Sequence, residues 1–238
     1  MDFFQPKWTF FPLSESAVLL DFGEPASIEK NMFIHQLAAR LAVKPFSGFI
    51  EAVPAYTTLA VYYNPLAAGG GVQSYEQTCH LIEEIAFPDS PHKLETKTVE
   101  LPVCYDEEFA LDITDVAAHN GISEEEVIEK HTNKDYHIYF IGFAPGFPFL
   151  GGLDPAIATP RKKAPRRKIR AGSVGIAGEQ TGVYPIDIPG GWQIIGRTPQ
   201  PLLRLGNSNP TLLQPGDKIR FYPISKEEYL RQEDASWH

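Results

Sequence analysis

The stretch GEQTGVYPIDIPGGWQIIGRTP, residues 178–199, decides how the second half of this chain folds. Its apolar runs last only a few residues before a glycine or proline cuts them. That spacing is too short for a helical period and suits short strands joined by stiff turns. The same turns surround two large rings, Tyr184 and Trp192, with Gln180, Thr181 and Arg197 close by in sequence.

The pattern continues in both directions. YHIYFIGF (136–143), GSVGIAG (172–178), WQIIGRT (192–198), PLLRLG (201–206) and DKIRFYPI (217–224) read as further short strands. Together they predict an antiparallel barrel or sandwich. In the last of them, Ile219, Phe221 and Pro223 fall on one face by strand alternation. The final KEEYLRQEDASWH reads as a short helix or a frayed tail. Upstream, residues 112–131 predict two short helices joined by a glycine turn, with Ser123 and Glu126 as a capping box. A DNA-reading helix-turn-helix is excluded by sign, because the second helix opens on Glu124, Glu125 and Glu126.

The first hundred residues have another rhythm. SAVLLDFG (16–23) reads as a strand, and residues 27–43 as a helix capped by Ser27, with Ile28, Met32, Leu37 and Leu41 on its apolar stripe. FIEAVPA and TTLAVYY follow as strands, then a helix over 73–87 and a strand TKTVELPV at 96–103. This β-α-β-β-α-β order predicts a ferredoxin-like α+β layout. The break FPDSPHK (87–93) is the expected domain boundary. We expect an α+β domain over 1–95 and a β-barrel domain over 96–238, with the helical hairpin near the start of the barrel domain.

Composition limits the function. An apolar fraction of 43% and a charged fraction of 21% describe a globular protein, and 238 residues suit one large domain or two ordinary ones, of which we read two. No secretory leader or membrane helix is legible, so a cytoplasmic protein is expected. Cys79 and Cys104 form no paired motif, and the scattered histidines show no zinc spacing, so neither a disulfide framework nor a metal site is expected. Net charge is −9, yet RKKAPRRKIR (161–170) holds seven cations, with no Asp or Glu between Pro155 and Gly178. A nucleic acid is a poor partner for so acidic a body; a small anion or an acidic protein patch suits the cluster better.

Two segments concentrate site-like residues. In IGFAPGFPFLGGL (141–153), Pro145, Pro148 and the glycines stiffen a loop carrying Phe143, Phe147 and Phe149. Such a loop suits a preformed ligand wall or a barrel corner plugged by aromatics. In 178–199, Gln180 and Thr181 offer neutral polar groups, Tyr184 and Trp192 amphipathic rings, and Arg197 a planar fork for a carboxylate or phosphate. Aromatic walls with a few aimed polar groups describe a small-molecule site. No nucleophile elbow, Walker loop or dinucleotide fingerprint accompanies them, and Ser173 reads as a turn serine.

IGFAPGFPFLGGL, then TPRKKAPRRKIRAGSVGIAGEQTGVYPIDIPGGWQIIGRTP, then LQPGDKIRFYPI resemble, in that order, the family of the 5-oxoprolinase B subunit, also called allophanate hydrolase subunit 1 or KipI. LPVCYDEEFALDITDVAAHNGISEEEVIEKH extends the resemblance more loosely. ALDI stands where the family usually has Gly-x-Asp-Leu, and IRAGS where Val-Pro-Ala-Gly-Ser is common. The resemblance implies a ferredoxin-like domain followed by a cyclophilin-like barrel. It also implies ATP-dependent opening of 5-oxo-L-proline to L-glutamate together with the A and C subunits of a 5-oxoprolinase, ATP being a co-substrate of the complex. On that basis Arg166 and Arg197 are expected to bind anionic groups, Gln180, Thr181 and Tyr184 to orient a planar ligand, and Phe143, Phe147 and Trp192 to wall it. The KipI branch implies a second role, inhibition of a sporulation sensor histidine kinase, countered by a KipA-like partner.

Overall fold

The computed structural model describes residues 6–70, 73–87, 96–206 and 210–236. Two compact units divide the chain, Met1–Glu95 and Thr96–His238.

In the first unit, strands β1 (Thr9–Ser14) and β2 (Ala17–Asp21) form a hairpin, followed by helix α1 (Ile28–Val43), strands β3 (Phe49–Pro54) and β4 (Thr58–Tyr63), and helix α2 (Gln73–Ala86). The antiparallel sheet has the order β1-β2-β4-β3. Ser27 caps α1 by accepting from the Lys30 N–H, which satisfies one of the orphan donors of the first turn. Phe33, Ile34, Leu37 and Leu41 face Val18, Leu20, Leu59 and Val61 of the sheet, each fully buried aliphatic contributing about 1.5–3 kcal/mol. The apolar stripe is rotated from the expected one, since Ile28 is exposed. A larger correction concerns the element order, which is β-β-α-β-β-α. The edge position beside β2 is taken by β1. TKTVELPV does not join this sheet.

That segment instead opens the second unit as β5 (Thr98–Cys104). Helices α3 (Ile113–Asn120) and α4 (Glu124–Thr132) follow, separated by Gly121 at φ +69 and started by the reciprocal Ser123–Glu126 capping box. Then come β6 (Asp135–Ile141), β7 (Pro148–Gly151), a 3-10 turn (Pro155–Ile157), β8 (Arg166–Ile169), β9 (Ser173–Ala177), β10 (Gln180–Val183), β11 (Ile188–Gly190), β12 (Gln193–Arg197), β13 (Lys218–Ile224) and α5 (Lys226–Ser236). Among the described residues seven strands close a barrel in the order β10-β7-β6-β13-β5-β12-β9, while β8 and β11 make a separate ribbon.

The barrel is not wholly antiparallel, a second correction: β13 runs parallel to β5 from Lys218↔Thr98 to Ile224↔Cys104. The two strands lie at opposite ends of the unit's sequence, so no local turn fixes their direction. In β13, Ile219 and Phe221 point inward as alternation requires, whereas Pro223 is exposed and Ile224 is buried. PLLRLG forms no strand, contributing only the bridge Leu203↔Thr211. The barrel interior joins Leu101, Val103, Ile138, Val174, Ile176, Val183 and Phe221 to Val116 and Val127 of the hairpin helices. No described helix is long and apolar enough to cross a membrane.

Candidate functional site

The Phe-rich loop is a tight turn between β6 and β7. Gly142 and Phe147 are bridged by N–H···O at 3.1 Å, and Ala144 donates to Gly142 at 2.7 Å. The turn forces Phe143 to φ +66, an outlier for a bulky residue, and leaves the residue 71% exposed. Phe147 turns inward and meets Tyr184 at 5.2 Å and Trp192 at 5.4 Å, both edge to face. These rings fit against β10 because position 182 is glycine: a Cβ there would lie 3.0 Å from the Phe147 ring, the Trp192 ring and the Pro148 carbonyl. On the ribbon, Gly190 likewise leaves room for the Tyr184 hydroxyl, which a Cβ would approach to 2.4 Å.

The result is a cleft of about 260 Å3 lined by Phe143, Phe147, Phe149, Arg161, Pro165, Tyr184, Pro189, Gly190, Gly191 and Trp192. Burial pushes the Tyr184 phenol above its ordinary value, so it stays neutral at physiological pH. The Arg161 guanidinium sits 5.8 Å above the Trp192 ring, within cation–π range. Four expected residues, Phe143, Phe147, Tyr184 and Trp192, therefore converge here. Arg161 and Phe149 join them, although the sequence alone had not singled out Arg161 from its neighbours.

Thr181 is not at this cleft. Alternation along β10 turns its side chain into the barrel, where it is fully buried and donates to the Gly175 carbonyl at 3.1 Å. It also meets His131 Nε2 at 2.9 Å, while His131 Nδ1 meets the Tyr105 hydroxyl at 2.8 Å. With Tyr105 donating to Nδ1 and Nε2–H donating to Thr181, the side-chain polar groups of this relay are satisfied by a neutral imidazole. Burial accordingly lowers the His131 pKa to about 3. Gln180 stands opposite Ala177 at the start of β10 and does not line the aromatic cleft.

The two arginines expected to bind anions are occupied elsewhere. Arg166 makes a bidentate pair with Asp112, at 2.8 Å and 2.7 Å, and Lys162 adds a third bond to the same carboxylate at 2.7 Å. The Ile194 N–H donates to Asp112 as well, at 2.7 Å. Burial pushes the Asp112 carboxyl up, but these donors together outweigh it and hold the group below its usual range. Arg197 donates through Nε to the Ala171 carbonyl at 2.8 Å, reaches Glu233 at 3.5 Å and lies 5.8 Å over Tyr229. It ties β12 to α5.

Both arginines border a second cleft of about 380 Å3, together with Lys168, Arg170, Ser173 and Glu108. Lys168 is paired with Asp187 at 2.7 Å, which leaves Arg170 as the cation there with no ion pair among the described residues. Asp112 was the residue that sequence reasoning missed. Its signal was the ALDI tetrapeptide, where an aspartate stands between Ala110 and Ile113, both buried in the core. Among the described residues, no cluster of His, Cys, Asp and Glu is arranged to hold a metal, and Cys79 and Cys104 are both free thiols.

A closed barrel carrying an aromatic cleft, with a basic ribbon beside it, is what comparison with known proteins places in a class. Residues 8–213 match the family model described as the carboxyltransferase domain, subdomain C and D. The chain belongs to this family, and within it to the group of 5-oxoprolinase B subunits. It is 46% identical over 230 residues to the 5-oxoprolinase B subunit of Bacillus subtilis, covering 94% of this chain and 96% of that protein. Identity to the 5-oxoprolinase B subunit of Escherichia coli is 39% over 212 residues, covering 89% and 94%. The crystal structure of TTHA0988 superposes with a TM-score of 0.77 at 36% identity over 88% of this chain, which spans 40% of the length of that longer chain.

Proposed function

We propose that this chain is the ligand-binding subunit of a heteromeric, ATP-dependent 5-oxoprolinase that hydrolyses 5-oxo-L-proline to L-glutamate in the cytoplasm. The observation that carries this is the near full-length likeness to proteins named as the B subunit of 5-oxoprolinase. The aromatic cleft supports it. At about 260 Å3 it lies just below the 300–1,000 Å3 of typical small-molecule sites, a size for a single five-membered ring.

The cleft holds no Ser, Cys, His, Asp or Glu. It supplies walls, a phenol and a guanidinium, which bind and orient a ligand and shield it from water, but it has no nucleophile or general base. A lactam is a poor electrophile, and ATP supplies the activation that lets water open it. Among the described residues the second cleft suits a triphosphate poorly, since its cations are mostly neutralised by Asp112, Asp187 and Glu233. Nucleotide binding and the chemical groups are therefore assigned to the A and C subunits. That the same fold occupies two-fifths of a longer chain fits a site completed by further protein. The finer names, ferredoxin-like for the first unit and cyclophilin-like for the barrel, belong to this proposal too.

The test is 5-oxoproline-dependent formation of ADP and glutamate by this chain alone, by the three subunits together, and by the partners without it. Turnover in the complete mixture alone is expected. Inactivity of every mixture of folded proteins would overturn the proposal and favour the inhibitor role, to be measured on autophosphorylation of a sensor histidine kinase.

A further inference from the structure

The segment 161–170 carries seven cations, but the fold uses them unequally. Lys162 and Arg166 are held by Asp112, and Lys168 by Asp187. Arg161 has no carboxylate partner among the described residues. Its guanidinium is instead positioned over the Trp192 ring at 5.8 Å, at a cleft whose lining contains no acidic side chain. A cation–π contact holds the guanidinium beside the ring without consuming its N–H groups. What remains is a fork of donors beside an aromatic wall, an arrangement able to bind a carboxylate in two-point fashion.

We propose that the Trp192 cleft recognises a small ring bearing a carboxylate, with Arg161 as the specificity residue that reads the carboxylate. The ring lies in the cleft lined by Trp192, Phe143, Phe147 and Tyr184. Phe143 is exposed, packs edge to face on Phe147 at 5.6 Å and sits at φ +66, backbone strain of a kind that collects at ligand clamps. The Tyr184 phenol, neutral and buried, offers a hydrogen bond to a ring substituent. The identity of the ligand, 5-oxoproline, rests on the function proposed above; its chemical class rests on the cleft alone.

Two measurements separate these. In the assembled enzyme, Arg161→Gln is expected to raise the KM for 5-oxoproline about tenfold to a hundredfold, the worth of a charge-assisted hydrogen bond or two, with kcat little changed and Arg161→Lys recovering part of the loss. Active enzyme in which Arg161→Gln leaves KM unaltered would overturn the assignment while the 5-oxoprolinase proposal stood. Independently, Trp192 fluorescence of the full chain is followed on adding pyrrole-2-carboxylate or its carboxamide, with Trp192→Phe identifying the signal among the three tryptophans. A response selective for the carboxylate and lost in Arg161→Gln would uphold the cleft even if no mixture turned over 5-oxoproline. Equal responses to both probes, or none to either, would overturn it.

Discussion

Replacing Asp112 with alanine should be among the most damaging single changes to the barrel unit. The carboxylate side chain is 1% exposed and takes bonds from Arg166 and Lys162, each 27% exposed, and from the Ile194 N–H. Removing one partner of a buried ion pair costs about 3–5 kcal/mol. Because both cations retain some contact with water and can turn toward it, the lower end applies, about 3 kcal/mol. For a unit of this size that is a fall in Tm of roughly 10 °C. Asp112→Asn keeps an acceptor for Ile194 and should cost about half as much, the share of the charge-assisted bonds. Scanning calorimetry gives the Tm, and hydrogen exchange of β9 and β12 amides assigns the loss to the barrel. Since the folded-state carboxyl is held below its ordinary value, its contribution is complete above about pH 3.9 and is lost as pH falls through the lower folded-state value. A loss under about 0.5 kcal/mol for Asp112→Ala, in the range of ordinary surface substitutions, would refute the role given to this ion-pair centre.

Other consequences follow from the same contacts. His131, with its pKa lowered to about 3 by burial, is neutral when folded but takes up a proton near pH 6.5 when unfolded. Stability should therefore be full above that pH and fall by about 1.4 kcal/mol per pH unit toward pH 3 on its account; urea midpoints across pH should show that slope reduced in His131→Gln, and parallel slopes would contradict it. Gly190→Ala forces a Cβ to within 2.4 Å of the Tyr184 hydroxyl and 2.7 Å of Ile169, so a cost of about 1–3 kcal/mol from overpacking and a loss of ligand-induced Trp192 fluorescence change are expected. Arg197→Ala should lower the thermal stability of α5 packing, through the Glu233 and Tyr229 contacts, yet leave the KM for 5-oxoproline unchanged; a raised KM would return Arg197 to the binding site.

What the sequence made legible was local. Ser27 and the Ser123–Glu126 box announced two helix starts because caps are contacts within one turn, and Gly121 marked a helix end that needs a positive φ. The strands at Thr98–Cys104 and Lys218–Ile224 were both visible, but not that they pair, being more than a hundred residues apart. Nothing in a period-two pattern says which sheet a strand joins. The site divides along the same line. Tyr184, Trp192 and Phe147 could be grouped by composition, since stiff Gly/Pro turns around aromatics need a reason. Thr181 could not, because one step along β10 exchanges cleft for core. Which cations of 161–170 are paired depends on Asp112, Asp115 and Asp187, on other segments of the chain. Arg166 and Arg161 look alike until those carboxylates are placed.

Under the proposed function, 5-oxoproline sits against Trp192 of this protein while partner subunits supply the chemistry. Equilibrium dialysis of labelled 5-oxoproline against the assembled complex tests it most directly, comparing wild type with the charge reversal Arg161→Glu at an exposed position. One saturable site per copy of this chain in the wild-type complex, lost in the variant although the complex still assembles, is the predicted result. Full binding by the Arg161→Glu complex would place the substrate elsewhere and contradict the account.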